Sequence, residues 1–192
     1  MRSLKRSSRA PRMRRRMRVR HLMASLLPAG VLCAAAMGAA GAPPLGLPPV
    51  PIPENNPMSP EKIGLGEKLF NDTRFSSTGD VSCATCHAPE KAFTDSPLSV
   101  SEGIRKLTGT RNAQTVVNSA YFTTLFWDGR SPDLEDQALH PFVNPVEMGL
   151  KDHEPILEIA RTDPEYAPAF QQVFGKSGAG ITMKEVTQAI AA

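Results

Sequence analysis

Cys83, Cys86 and His87 stand together in the stretch GDVSCATCHAPEKAFTD: two thiols three positions apart and an imidazole directly after the second. Such a set admits four chemistries. A disulfide across two residues would close a loop too small to constrain the chain. A thioredoxin-like redox pair needs a βαβ setting, and the surrounding sequence has none. A zinc site needs a second pair of ligands at finger spacing, and the other histidines beyond residue 42, His140 and His153, lie far along the chain. The fourth chemistry is covalent haem c. Each thiol adds to one porphyrin vinyl group, and the histidine after the second cysteine reaches the iron as its proximal ligand. Three-residue spacing sets both sulfurs on one helical turn. In an exported protein, C-x-x-C-H favours haem c over the other three.

The N-terminus supplies the export argument. Met1–Arg20 carries nine Arg, one Lys and no acid, and Leu22–Ala42 carries no charge at all. A basic head, an apolar body and a run of small residues read as a secretory signal peptide over residues 1–42, with cleavage in Ala40–Ala42. Pro28 and several glycines interrupt the apolar body, which disfavours a retained membrane span. Cys33 follows Leu32 where a lipoprotein site needs a small residue, so it is expected to leave with the leader. The whole chain has 22 basic and 19 acidic residues; without the ten basic residues of the leader it has 12 and 19, a net of −7. The exported part is therefore acidic and offers no electrostatic reason to bind nucleic acid.

The elements that position the haem motif follow in order. Residues 43–58 are proline-rich and predict an extended arm over the surface. Ser59-Pro60-Glu61 predicts an N-cap and a helix to about Asn71, with Ile63, Leu65, Leu69 and Phe70 as its apolar surface. DTRFSSTGDVS is a turn-rich approach to the motif. NAQTVVNSAY predicts a short helix. Ser131-Pro132-Asp133 and Asp163-Pro164-Glu165 open two more, the latter with Tyr166, Phe170 and Phe174 on one face and Gly175 as its stop. Thr182-x-x-Glu185 is a capping box leading into a last helix. The fold class is mainly α with long loops, and a large apolar porphyrin would supplement the core.

GLGEKLFNDTRFS, VSCATCHAPEKAFTD, GTRNAQTVVNSAY, LFWDGRSPDLEDQAL and NPVEMG occur here in the order found in bacterial di-haem cytochrome c peroxidases and their MauG relatives. The sequence resembles the N-terminal, peroxidatic half of that family over residues 59–192. The resemblance implies a cytochrome c-like haem domain, one half of a two-domain peroxidase. The second half of such proteins carries another C-x-x-C-H, and none follows here; the predicted last helix also reaches Ala192 without a C-cap. The sequence therefore reads as an incomplete gene product whose C-terminal haem domain is missing.

The resemblance assigns roles residue by residue. His87 is the proximal iron ligand. Glu147, in NPVEM, matches the distal carboxylate that moves the proton during peroxide cleavage. Trp127, the only tryptophan, matches an indole that relays electrons between two haems. Gln137 matches a distal-pocket glutamine. Asn112 matches a contributor to an inter-haem calcium site, which needs several more oxygens than one asparagine supplies. One position departs from the pattern. Members that need reductive activation carry a distal His within G-H-G, and here Glu102 takes that place in LSVSEGIRKLTGTRN. A haem face without a strong sixth ligand is the expectation; His140, His153 and Met148 are the other residues able to ligate.

Two functions follow. The first is periplasmic reduction of hydrogen peroxide, or a related MauG-like oxidation, with electrons from a small periplasmic cytochrome c or copper protein, in a protein that does not span the membrane and has room to pair as a homodimer. The second is a single-haem cytochrome c that transfers electrons without turnover.

Overall fold

Ser59 starts the helical part. Its hydroxyl accepts a hydrogen bond from the Lys62 N–H at 3.2 Å, and Pro60 opens helix α1, Pro60–Asn71. The structure, a computed structural model, describes residues 46–192. The leader, its cleavage region, Cys33 and the first residues of the proline-rich arm lie outside the described residues. Five helices follow α1: α2 (Cys83–Cys86), α3 (Leu134–Val143), α4 (Glu154–Thr162), α5 (Tyr166–Phe174) and α6 (Met183–Ile190). Among the described residues there is no strand, only the isolated antiparallel bridges Ala88–Thr94, Glu102–Thr108 and Leu125–Ser131. No helix there is long and apolar enough to cross a membrane.

The core is built where helical spacing repeats apolar residues. Leu65 and Leu69 of α1 meet Ile156 and Ala160 of α4, Tyr166 and Phe170 of α5, and Val186 and Ala189 of α6 in one buried cluster. Burying one such Leu or Phe side chain stabilises by roughly 1.5–3 kcal/mol. Helix α6 packs on both α1 and α3. Its approach to α1 is close enough that a Cβ on Gly66 would overlap the Ala189 carbonyl oxygen. The capping box predicted for α6 is present: Thr182 N–H donates to Glu185 Oε2 at 2.9 Å.

Three expectations need correction, and one helix is unforeseen. Residues 112–118 of the NAQTVVNSAY stretch form no helix; a single 3-10 turn, Ser119–Tyr121, follows left-handed Asn118. Ser131 does not cap α3, because its backbone pairs with Leu125; Asp133 caps instead, accepting from Asp136 N–H at 2.8 Å. Ile63 points to solvent, and the adjacent face buries Lys62 in its stead. Lys62 Nζ donates to Asn56 Oδ1 at 2.8 Å and to the Pro57 carbonyl at 2.6 Å, which satisfies the amine away from water. Helix α4 lies in a stretch for which no helix is expected; Glu154-Pro155 mark its first turn, Asp152 Oδ1 accepts from Glu154 N–H at 3.0 Å, and Ile156 and Ala160 form its buried i, i+4 pair.

Described from residue 46, the proline-rich arm is mostly exposed and pinned at two places. Tyr121 Oη donates to the Pro48 carbonyl at 2.9 Å. Asn56 Nδ2 donates to Gln188 O, and Gln188 Nε2 donates to Asn55 O, so the arm is stitched to α6.

Candidate functional site

The C-x-x-C-H segment is one turn of helix, α2. Ser82 N–H donates to Thr85 Oγ1 at 2.9 Å, which fixes the start of the turn. His87 N–H donates to the Cys83 carbonyl at 2.9 Å and closes it. The imidazole therefore emerges directly below two cysteines presented by the same turn. Both cysteines are free thiols. Burial pushes the Cys83 thiol up to about 12 and the Cys86 thiol up to about 11, so both are neutral at ordinary pH.

The His87 ring is held by a loop that doubles back on it. Ala92 and Phe93 both adopt left-handed backbone, at φ 55° and 57°. Each such non-glycine residue costs about 1 kcal/mol or more. The strain is offset by bonds that close the loop: Phe93 N–H to Ala88 O at 2.8 Å and Ala88 N–H to Thr94 O at 3.1 Å. The product is a carbonyl, Phe93 O, 3.2 Å from His87 Nδ1. With a proton on Nδ1 shared with that carbonyl, the Nε2 lone pair is left for a metal, the usual arrangement of a ligating histidine.

Glu147 follows α3 in a turn. Asn144 Nδ2 donates to Glu147 Oε1 at 2.7 Å. Burial pushes the Glu147 carboxyl above the usual range, against the opposing pull of the Arg130 and His140 cations. The Glu147 charge in turn adds to the upward shift of both thiols, and the two parts of the site meet at one segment: the Glu102 carbonyl accepts from Cys86 Sγ at 3.8 Å, and Ile104 N–H donates to the Glu147 carbonyl at 2.9 Å. Asp95 is a further acid on Cys86; it is 4% exposed, and its Oδ2 has no hydrogen-bond partner.

These residues fit a covalent haem. Two free thiols share a turn, a histidine is oriented through Nδ1 with Nε2 available, a carboxylate stands nearby, and one buried carboxylate oxygen lacks a partner. Cys83 and Cys86 would hold the porphyrin and His87 its iron. Among the described residues, no group of three or more His, Cys, Asp or Glu side chains gathers to hold a metal ion by itself.

The other sequence-derived residues scatter. Trp127 is 56% exposed, and its Nε1 donates to the Asn112 carbonyl at 3.0 Å. Gln137 lies half-buried on α3. Glu102 pairs loosely with Lys106 at 3.7 Å, while its backbone carbonyl accepts from Cys86 Sγ at 3.8 Å. Met148 is buried in the core, His153 Nε2 lies 3.0 Å from the Leu139 carbonyl, and His140 is exposed beside Asp136. Each of the three is thus engaged structurally. Sequence reasoning passed over Asn144, Asp95 and the Phe93 carbonyl. Asn144 was findable, since an asparagine three residues before an acid is well placed to bond it; a backbone carbonyl presented by two left-handed residues leaves no residue-type signal.

Comparison with known proteins sets this geometry in context. A family model described as di-haem cytochrome c peroxidase matches residues 60–192. The methylamine utilization protein MauG of Methylorubrum extorquens is 41% identical over 141 residues, 73% of this chain and 39% of that protein. The cytochrome c peroxidase Ccp of Escherichia coli K12 is 37% identical, over 73% of this chain and 30% of its own length. Among solved structures, a MauG-like protein associated with microbial copper homeostasis superposes with a TM-score of 0.69 at 37% identity, over 76% of this chain and 43% of that one. The diheme peroxidase BthA from Burkholderia thailandensis E264 gives 0.62 at 27% identity, over 71% and 38%. The chain spans about two-fifths or less of the length of these relatives.

Proposed function

This chain belongs to the di-haem cytochrome c peroxidase family, and on that premise we propose that it is the peroxidatic haem c portion of a periplasmic enzyme that reduces hydrogen peroxide. Electrons come from a small exported cytochrome or copper protein, by way of a second haem in a C-terminal half and then Trp127. The observation that carries this reading is the half-buried carboxylate Glu147, held by Asn144 and pushed up in pKa by burial, whose backbone carbonyl binds the same Glu102–Ile104 segment that contacts Cys86. A surface electron carrier has no need of such a group.

Cys83, Cys86 and His87 would hold a haem, which would supply the redox chemistry of peroxide reduction. The residues of the chain handle protons and orientation. Glu147 takes a proton from the incoming peroxide oxygen and returns it to the departing one, so that peroxide, two electrons and two protons give two waters. Asn144 holds one Glu147 oxygen and aims the other. His87, its ring oriented by the Phe93 carbonyl at Nδ1, would offer Nε2 to the iron. Gln137 contributes to the same pocket, and Asn112 contributes one oxygen to a calcium site completed elsewhere in the protein.

Glu147→Gln removes the ionisable group at nearly constant shape. Stopped-flow mixing of the haem-loaded protein with peroxide should show the oxidising step slowed about a hundredfold, the scale of a lost acid–base group. In the unaltered protein the rate should fall as pH drops through the raised Glu147 pKa, because only the ionised form accepts a proton; the variant should lose this limb. An unchanged rate and an unchanged pH profile would remove Glu147 from the mechanism.

A further inference from the structure

Three consecutive residues, Glu102, Gly103 and Ile104, touch both halves of the proposed site. The Glu102 carbonyl accepts from Cys86 Sγ at 3.8 Å. Gly103 lies flat on the Val146–Glu147 backbone: a Cβ there would overlap the Val146 carbonyl oxygen and stand 2.7 Å from Glu147 Cα. At φ −103° and ψ −143°, the close approach to main-chain atoms is by itself reason enough for glycine. Ile104 N–H then donates to the Glu147 carbonyl at 2.9 Å, and the Ile104 side chain is anchored in the core at 4% exposed. Gly103 N–H to Leu107 O at 2.8 Å ties the segment to the turn that follows. On the next residue, Ser77 N–H donates to Met148 O at 2.8 Å, so the Glu147 main chain is gripped from two directions.

We infer that Glu102–Ile104 is a spacer that fixes the separation between the Cys86 attachment point and the Glu147 carboxylate, with Gly103 as a positioning residue. The inference rests on the proposed acid–base role of Glu147. A proton shuttle works only within hydrogen-bond reach, and a displacement of about 1 Å can cost on the order of a hundredfold in rate. A methyl group on residue 103 must push the Val146–Glu147 backbone away, because the atoms that it meets are main chain and cannot rotate aside.

The test uses haem-loaded protein in four forms: unaltered, Gly103→Ala, Glu147→Gln and the double variant. Each is mixed with hydrogen cyanide, which must give up its proton as it binds ferric iron, so its association rate reports a nearby base without turnover. Gly103→Ala should slow association about tenfold to a hundredfold. Glu147→Gln should slow it at least as much, and the double variant no further than Glu147→Gln alone. A normal rate in Gly103→Ala beside a slow Glu147→Gln, or effects that multiply in the double variant, would overturn the spacer and leave the acid–base reading standing. A normal rate in Glu147→Gln would overturn that reading, and the spacer with it. Ile104→Val is the companion least at risk of misfolding, since it trims one methyl group and keeps the N–H bond. It should slow association a few-fold only while Glu147 is present; a slowing that persists in Glu147→Gln would count against the spacer.

Discussion

The helical part of the molecule, α1 with α3–α6, and the loop part, residues 76–131, solve different problems. The helical part buries its central apolar residues, with Ile63 the exposed exception: Phe142, Phe170, Ile156 and Val186 are at 1% exposure or less. Even its buried amine, Lys62, has two oxygen partners and the Phe174 ring 5.1 Å away. The loop part leaves Leu98, Leu107, Val117, Phe122 and Trp127 at 41–56% exposure. It also holds all six left-handed non-glycine residues among the described ones: Ala92, Phe93, Arg105, Lys106, Asn118 and Phe126. Folding free energy is thus gathered in one region and spent as strain in the other, where the chemistry sits. The two regions teach that a site built from loops can be held to shape by a scaffold that contributes few groups to it.

That contrast can be broken in three ways. The largest effect falls on the loop side. Replacing Cys83 and Cys86 together by Ala should abolish haem that survives a denaturing gel, read by haem staining, while the far-ultraviolet circular dichroism of the helices persists. Retained staining would refute covalent attachment, and loss of the helical signal would refute a scaffold independent of the site. Next comes a blow to the scaffold. Phe170→Ala should cost about 3–5 kcal/mol in a urea titration, because it empties a fully buried site. A cost below 1 kcal/mol would show that the helical core is looser than its packing implies. The smallest effect returns to the loops. Trp127→Phe should change stability by less than about 0.5 kcal/mol, as expected for an exposed side chain with one hydrogen bond. On the proposed reading, the same change made in a chain joined to a second haem domain should slow electron delivery, which a reduced-cytochrome assay reads; a large stability loss would instead make Trp127 part of the scaffold.

The helices were readable because their signals are local. Ser59 before Pro60, Gly175 at φ 65° and the Thr182–Glu185 box each act within four residues, and each appears where the sequence sets it; Asp163 accepts from Glu165 and Tyr166 N–H, but α5 itself starts only at Tyr166. The corrections come where distant pairing overrides such signals. Ser131 looks like a cap, yet its backbone is claimed by Leu125. The NAQTVVNSAY run has helical composition, but Thr115 Oγ1 donates to the Ala92 carbonyl 23 residues back and the segment stays extended. For the site, residue types and spacing identified Cys83, Cys86 and His87, and the family resemblance identified Glu147. The groups that orient them are a carbonyl, a side-chain amide and a close backbone contact, and two of those three belong to the main chain, which sequence does not label.

The stitching of the arm to α6 has a consequence in time. Asn55 and Gln188 are 133 positions apart, and α1 finds its neighbour in the last helix of the chain. A ribosome releases residues in order, so the α1–α6 contact must wait until about residue 190, although α1 can meet α2 and α5 earlier. Contacts of such long range carry a loop-closure entropy that is repaid late, and they slow folding. Neighbours of the Cys86 thiol, Asp95 and Glu102, also follow it in the chain. On the proposed reading, the interval before these groups and the scaffold close around the turn is when an attachment enzyme would reach both sulfurs most freely.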